Sequence, residues 1–136
     1  MSVLNQLADA ATNHDSDALR DAVSNVNRGY SAAPLLAHIL LEDWHDSHED
    51  IVFELGLIGN PCVIDSIAKV ATIHFEYMER WGTLHEFQRK CAYALARIGT
   101  DESREALEGL AQNSDPHLRE YGEEGLQHWP LPFRDE

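Results

Sequence analysis

Hydrophobic positions recur at helical spacing almost from end to end of the chain, and strand-like alternation is nearly absent. Ile51, Leu55 and Ile58 fall at i, i+4 and i+7, and so do Cys91, Leu95 and Ile98. Each set marks one face of a helix with a 3.6-residue period. Gly59 and Gly99 follow directly, and a glycine free to take positive φ ends a helix at such a place. The next helices start at once. Asn60 with Pro61 supplies a cap and a first-turn proline, and Thr100 caps the later copy. The second helices also share a register: Ile67 and Val70 lie eight and eleven residues past Gly59, as Leu107 and Leu110 do past Gly99.

The same ruler finds an earlier copy. Leu36 and Ile39 lie eight and eleven residues past Arg28, with Ser31 as the expected cap and Pro34 in the first turn. Anchors at 28, 59 and 99 stand 31 and 40 residues apart, so the second interval carries nine extra residues. Leu19, Ala22, Val23 and Val26 predict a helix before the first anchor, and Val3, Leu4, Leu7 and Ala11 predict another at the start. Asp115-Pro116 opens a terminal helix through Leu118, Tyr121 and Leu126, which stops before Pro130-Leu131-Pro132.

Two helices per unit at a period in the thirties is the pattern of an α-solenoid, in which each pair buries its apolar stripe against its neighbours. The run from Phe87 to Gly99, followed by Ala106, Leu107 and Leu110, resembles the short HEAT-like repeat of phycobilin lyases and many bacterial proteins. Asp115-Pro116-His117-Leu118-Arg119 resembles the turn between such repeats and the arginine that opens the next helix. The likeness covers residues 48–126 and is faint before residue 28. It implies an all-α fold, an α-α superhelix of three helix pairs with partial terminal caps, in one domain spanning 1–136.

Charge narrows the partners. Asp and Glu number 24 against 10 Lys and Arg, a net charge of −14. A field of that sign repels nucleic acid and anionic membranes and attracts basic proteins. No apolar run approaches the roughly 18 residues of a membrane span. The first eleven residues lack the pattern of a secretory leader, so a cytoplasmic location is expected. Cys62 and Cys91 lie in apolar helical patterns without CxxC spacing and are expected to be buried thiols.

Eight histidines raise the question of a metal. His45 and His48 stand beside Asp46, Glu49 and Asp50, but Ser47 with Asp50 resembles a capping box, which makes the pair straddle a helix start. Deoxyhypusine hydroxylase, built from similar repeats, holds iron through His-Glu pairs. Here His48-Glu49 begins seven residues before Leu55, whereas His85-Glu86 begins ten before Leu95, so the two pairs are out of register. No nucleophile motif, phosphate loop or dinucleotide fingerprint is present. The sequence therefore assigns no catalytic residue, metal or cofactor.

The connections between helix pairs are more distinctive. The segment from Glu42 to Asp50 holds five carboxylates and no Lys or Arg. The next connection contains the nine-residue excess, and Ile73, Tyr77 and Trp81 at i, i+4 and i+8 predict that it lengthens the preceding helix. Trp44, Tyr77 and Trp81 then share one edge, with Glu42, Asp43, Asp46, Glu49 and Asp50 as a charged surround. Aromatic anchors in such a surround are the expected partner-binding set. The alternative is that Trp44 and Trp81 cap the core beneath a solvated turn. A competing surface lies on the second helices, at His38, Asp65, Lys69, Glu105 and Glu108. The expected function is a protein-binding module that masks a basic partner. By analogy it is an immunity-type inhibitor of a toxin, such as a nuclease. An adaptor or accessory subunit of an enzyme such as a lyase, and a metal-dependent enzyme, are the alternatives.

Overall fold

The computed structural model describes residues 2–27 and 29–131, so the anchor at Arg28 and the proline at 132 lie outside the described residues. Nine α-helices and no strands occur among the described residues. They are α1 (Val3–Asn13), α2 (Ser16–Ser24), α3 (Ala33–Leu40), α4 (His48–Ile58), α5 (Ile64–Val70), α6 (Glu76–Trp81), α7 (Leu84–Ile98), α8 (Asp101–Ala111) and α9 (Pro116–His128). Short 3-10 turns at Tyr30–Ala32 and Pro61–Val63 lead into α3 and α5.

The helices pack in two rows. In one, α1 touches α3, α3 touches α5 and α5 touches α8; in the other, α2 touches α4, α4 touches α7 and α7 touches α9. The rows meet through α1 on α2, α3 on α4, α5 on α7, and α8 on α9. α4 and α7 run parallel, because Glu49 at the start of α4 meets Lys90 in the middle of α7, and Gly56 meets Ala94 further along both. The inward stripes merge into one apolar cluster that includes Leu7, Leu19, Leu36, Ile39, Leu55, Ile67, Phe87, Leu95 and Leu107, each fully buried.

The punctuation follows local chemistry. Gly59 and Gly99 end α4 and α7 at φ 73° and 71°, in the left-handed region that costs an L side chain energy. Thr100 and Ser103 form a reciprocal capping box on α8. Asp115 accepts the His117 N–H at the start of α9, with Pro116 in the first turn, and Asn60 accepts the Cys62 N–H.

Four expectations are corrected. Ser31 is not a cap: it lies within the 3-10 turn, and α3 starts without a side-chain cap. Ser47 makes no capping box; its N–H donates to His45 Nδ1 at 3.0 Å and its hydroxyl is buried without a partner. Cys91 is buried but Cys62 is exposed, because Cys62 falls in the 3-10 turn rather than on an inward helical face. The nine-residue excess does not lengthen α5. The chain leaves the helix at Val70, turns, and forms α6 as a separate helix that ends at Gly82 with φ 72°. The Thr72 hydroxyl donates to the Lys69 carbonyl, and the Thr72 and Ile73 N–H groups reach back only three residues. Those bonds divert the backbone from the α-helical ladder.

Candidate functional site: an aromatic train along the connection edge

The connections between the rows lie side by side, and aromatic rings link them. His14 caps the end of α1 in the left-handed conformation and stacks on Trp44, with centroids 5.0 Å apart and planes 2° from parallel. Trp44 meets the edge of His45 at 4.9 Å, His45 stacks on His48 at 4.1 Å, and His48 stacks on Phe75 at 3.9 Å. Tyr77 lies 5.6 Å from His48, and Trp81 meets Tyr77 edge-on at 5.3 Å. The train thus crosses from the α1–α2 turn through the α3–α4 turn to α6.

Hydrogen bonds fix the two inner imidazoles. Ser47 N–H donates to His45 Nδ1, so His45 Nε2 carries the proton and donates to the Ile39 carbonyl at 2.9 Å. His48 Nε2 donates to the Glu42 carbonyl at 2.7 Å, which leaves Nδ1 to accept the Tyr77 hydroxyl at 2.7 Å. All four ring nitrogens are engaged, and both residues are buried. Burial, with the neighbouring His45, lowers the His48 pKa to about 4; burial also lowers that of His45. Burial, with Asp46, Glu49 and Asp50 nearby, raises the Tyr77 pKa, which keeps its hydroxyl a donor. With every ring nitrogen hydrogen-bonded, the two imidazoles brace the edge.

Beside the train runs an open groove of about 920 Å³, lined by Glu42, Asp43, Trp44, Glu76, Tyr77 and Arg80 among others. Trp44 is half-buried, and its indole N–H donates to Glu42 Oε1 at 3.1 Å. Among the described residues, Arg80 has one distant ion-pair partner, Glu76 at 3.9 Å. Trp81 stands 60% exposed at the outer end of α6.

The expected site residues are therefore divided. Glu42, Asp43, Trp44 and Tyr77 line one groove, and Trp81 extends it through Tyr77. Asp46 is drawn off by Arg20 of α2, 2.9 Å away, and Glu49 by Lys90 of α7, 3.4 Å away. Glu49 and Asp50 line a different cleft, between α4 and α7. The competing positions His38, Asp65, Lys69, Glu105 and Glu108 are all exposed, and Asp65 and Glu105 face a groove of about 640 Å³ between α5 and α8. His14, Phe75, Glu76 and Arg80 were missed as site residues. Only Glu76 and Arg80 carried a local signal, as charges flanking Tyr77.

Among the described residues, no group of three or more His, Cys, Asp or Glu side chains could hold a metal ion, and no helix is long and apolar enough to cross a membrane. No protein-family model, curated protein or solved structure matches the chain.

Proposed function

We propose that the chain is a HEAT-like superhelix of three helix pairs capped by α1 and α9, and that its connection edge binds a basic partner protein. The observation that carries this reading is Trp81. A 60% exposed indole sits at the end of a braced aromatic train, beside a groove bearing Glu42, Asp43 and Glu76. Exposed tryptophan on a rigid support is a typical binding anchor, because few rotamers are lost when a partner covers it. The −14 net charge selects a cationic surface to cover it. Small size and a one-sign field suit one-to-one blocking of a basic protein such as a toxin, which is the form of the function we favour.

The test compares three versions of the full chain as bait for cellular proteins. Trp81→Ala should lose its partner by about 2 kcal/mol or more of affinity while melting near the parent temperature. Asp43→Lys with Glu76→Lys should lose it through a slower on-rate. Asp65→Lys with Glu105→Lys, on the α5–α8 groove, should keep it. Retention by the first two and loss by the third would move the site to the second helices. A captured partner with an acidic contact surface would refute the basic-partner reading.

A further inference from the structure

The groove on the connection edge has two walls of different origin. The α3–α4 connection supplies Glu42, Asp43 and Trp44, and α6 supplies Glu76, Tyr77 and Arg80. Its volume of about 920 Å³ lies near the upper end of the range for binding clefts, ample for a side chain from another protein. The rings are held before anything binds. Trp44 stacks on His14 and donates its indole N–H to Glu42, and the Tyr77 hydroxyl donates to His48 Nδ1 at 2.7 Å. Little rotamer freedom is left for a ligand to freeze out.

The polar groups of the groove suit a cation. Among the described residues that line it, the carboxylates of Glu42, Asp43 and Glu76 face the guanidinium of Arg80 alone. A carboxylate accepts at about four sites, so the bond from Trp44 leaves Glu42 able to accept more. The Glu76 side chain is 92% exposed, and its 3.9 Å approach to Arg80 is too long for a hydrogen bond. Rings and carboxylates together favour one kind of cation. A guanidinium is flat, weakly hydrated and rich in donors, so it stacks on a ring while its edge meets a carboxylate. A lysine ammonium holds its water more tightly and gains mainly from charge.

We propose that this groove binds a guanidinium, presented by an arginine side chain of the basic partner, with its plane against the aromatic wall and its N–H groups on Asp43 and Glu76. The source of that arginine rests on the edge reading given above; the preference for a guanidinium rests on the side chains of the groove itself. Arg80 is then an internal rival, because it faces a carboxylate that the incoming arginine uses. Removing it strengthens binding.

The experiment titrates the full chain with N-acetyl-arginine amide and follows the indole N–H signals by NMR. Trp44 should shift saturably, with millimolar affinity, while Trp129, bonded to Thr100 and Ser103 at the start of α8, should stay in place. N-acetyl-citrulline amide, which has the same shape without the charge, should bind at least about tenfold more weakly. N-acetyl-lysine amide should bind at least about threefold more weakly. Asp43→Asn with Glu76→Gln should weaken the arginine probe and leave the citrulline probe unchanged. Arg80→Gln should tighten the arginine probe by about threefold, whereas Arg119→Gln, the same charge change on α9, should not. Circular dichroism confirms that each variant folds. No saturable Trp44 shift by about 20 mM probe, lysine or citrulline binding as tightly as arginine, or equal effects of the two arginine variants would each overturn the proposal. If Trp81→Ala loses a captured partner while the arginine probe fails to bind, the guanidinium site falls and the edge reading stands. If the probe binds as expected while the partner sits on the α5–α8 groove, the guanidinium site stands and the edge reading falls.

Discussion

His48 shows how a single side chain can link the site to stability. Its ring is buried and neutral, with a folded pKa of about 4. In the unfolded chain an imidazole titrates near 6.5. Between those values the unfolded state binds more protons than the folded one, so stability falls as pH falls. The His48 contribution is complete above about 6.5 and lost progressively toward pH 4, up to roughly 3 kcal/mol. Protonating surface carboxylates acts in the other direction by relieving repulsion, so the parent's own pH profile mixes both effects. His48→Gln, which can still donate and accept, isolates the imidazole. Urea melts at pH 7.5 and 4.5 should show a smaller loss in the variant than in the parent; equal losses would mean that His48 titrates normally. Little of this role was legible in the sequence. Ser47 and Asp50 suggested a capping box, and nothing local reveals that Phe75, 27 residues on, will cover the His48 ring. The same holds for the acidic run. It contains no cation of its own, yet Arg20 and Lys90 reach it from 26 and 41 residues away and neutralise Asp46 and Glu49.

At the scale of elements, legibility depended on whether the signal was local. Gly59, Gly99, Thr100 and Asp115-Pro116 marked boundaries correctly because a positive φ or a first-turn cap is decided within a few residues. Ile73, Tyr77 and Trp81 have perfect helical spacing but lie across a break, because a hydroxyl and two three-residue backbone bonds end α5 just past Val70. Spacing alone cannot see that competition. Close helix contacts were equally hidden. A Cβ at Gly122 of α9 would come within 2.8 Å of the Leu110 carbonyl carbon in α8, and the Ala111 backbone lies closer still. Backbone cannot yield as a side-chain tip can, so Gly122→Ala should force the α8–α9 pair apart and destabilise by about 1–3 kcal/mol. Gly109, in the last turn of α8, has nothing within 4 Å of its Cβ position. Gly109→Ala should stabilise by roughly 0.5–1 kcal/mol through helix propensity. Chemical melts of the two variants should move in opposite directions. A Gly122→Ala protein as stable as the parent would contradict the close packing of α9 on α8.

For the molecule as a whole, charge sets two opposing terms. Exposed ion pairs such as Arg20–Asp46, Lys90–Glu49 and Arg89–Glu124 add little to the stability of the fold, because solvent screens them, and salt weakens them further. Against them stands the repulsion of the unbalanced carboxylates. Even if every one of the 10 cations were paired, a net charge of −14 would remain, confined to a smaller volume in the folded state than in the unfolded one. The screening length falls from about 30 Å at 10 mM salt to about 3 Å at 1 M. Repulsion summed over the whole surface depends on that length far more than contacts between touching groups do. The melting temperature should therefore rise with sodium chloride, by about 4 °C for each kcal/mol of repulsion removed. Asp43→Lys with Glu76→Lys, which makes the net charge four units less negative, should flatten that rise. If the melting temperature fell with salt, the ion pairs would outweigh the field. The same field speeds the approach of a cationic partner to the groove beside Trp81. Salt should thus act in opposite directions on the free protein and on its complex, firming the fold while slowing association, and a variant that flattens one slope should flatten the other.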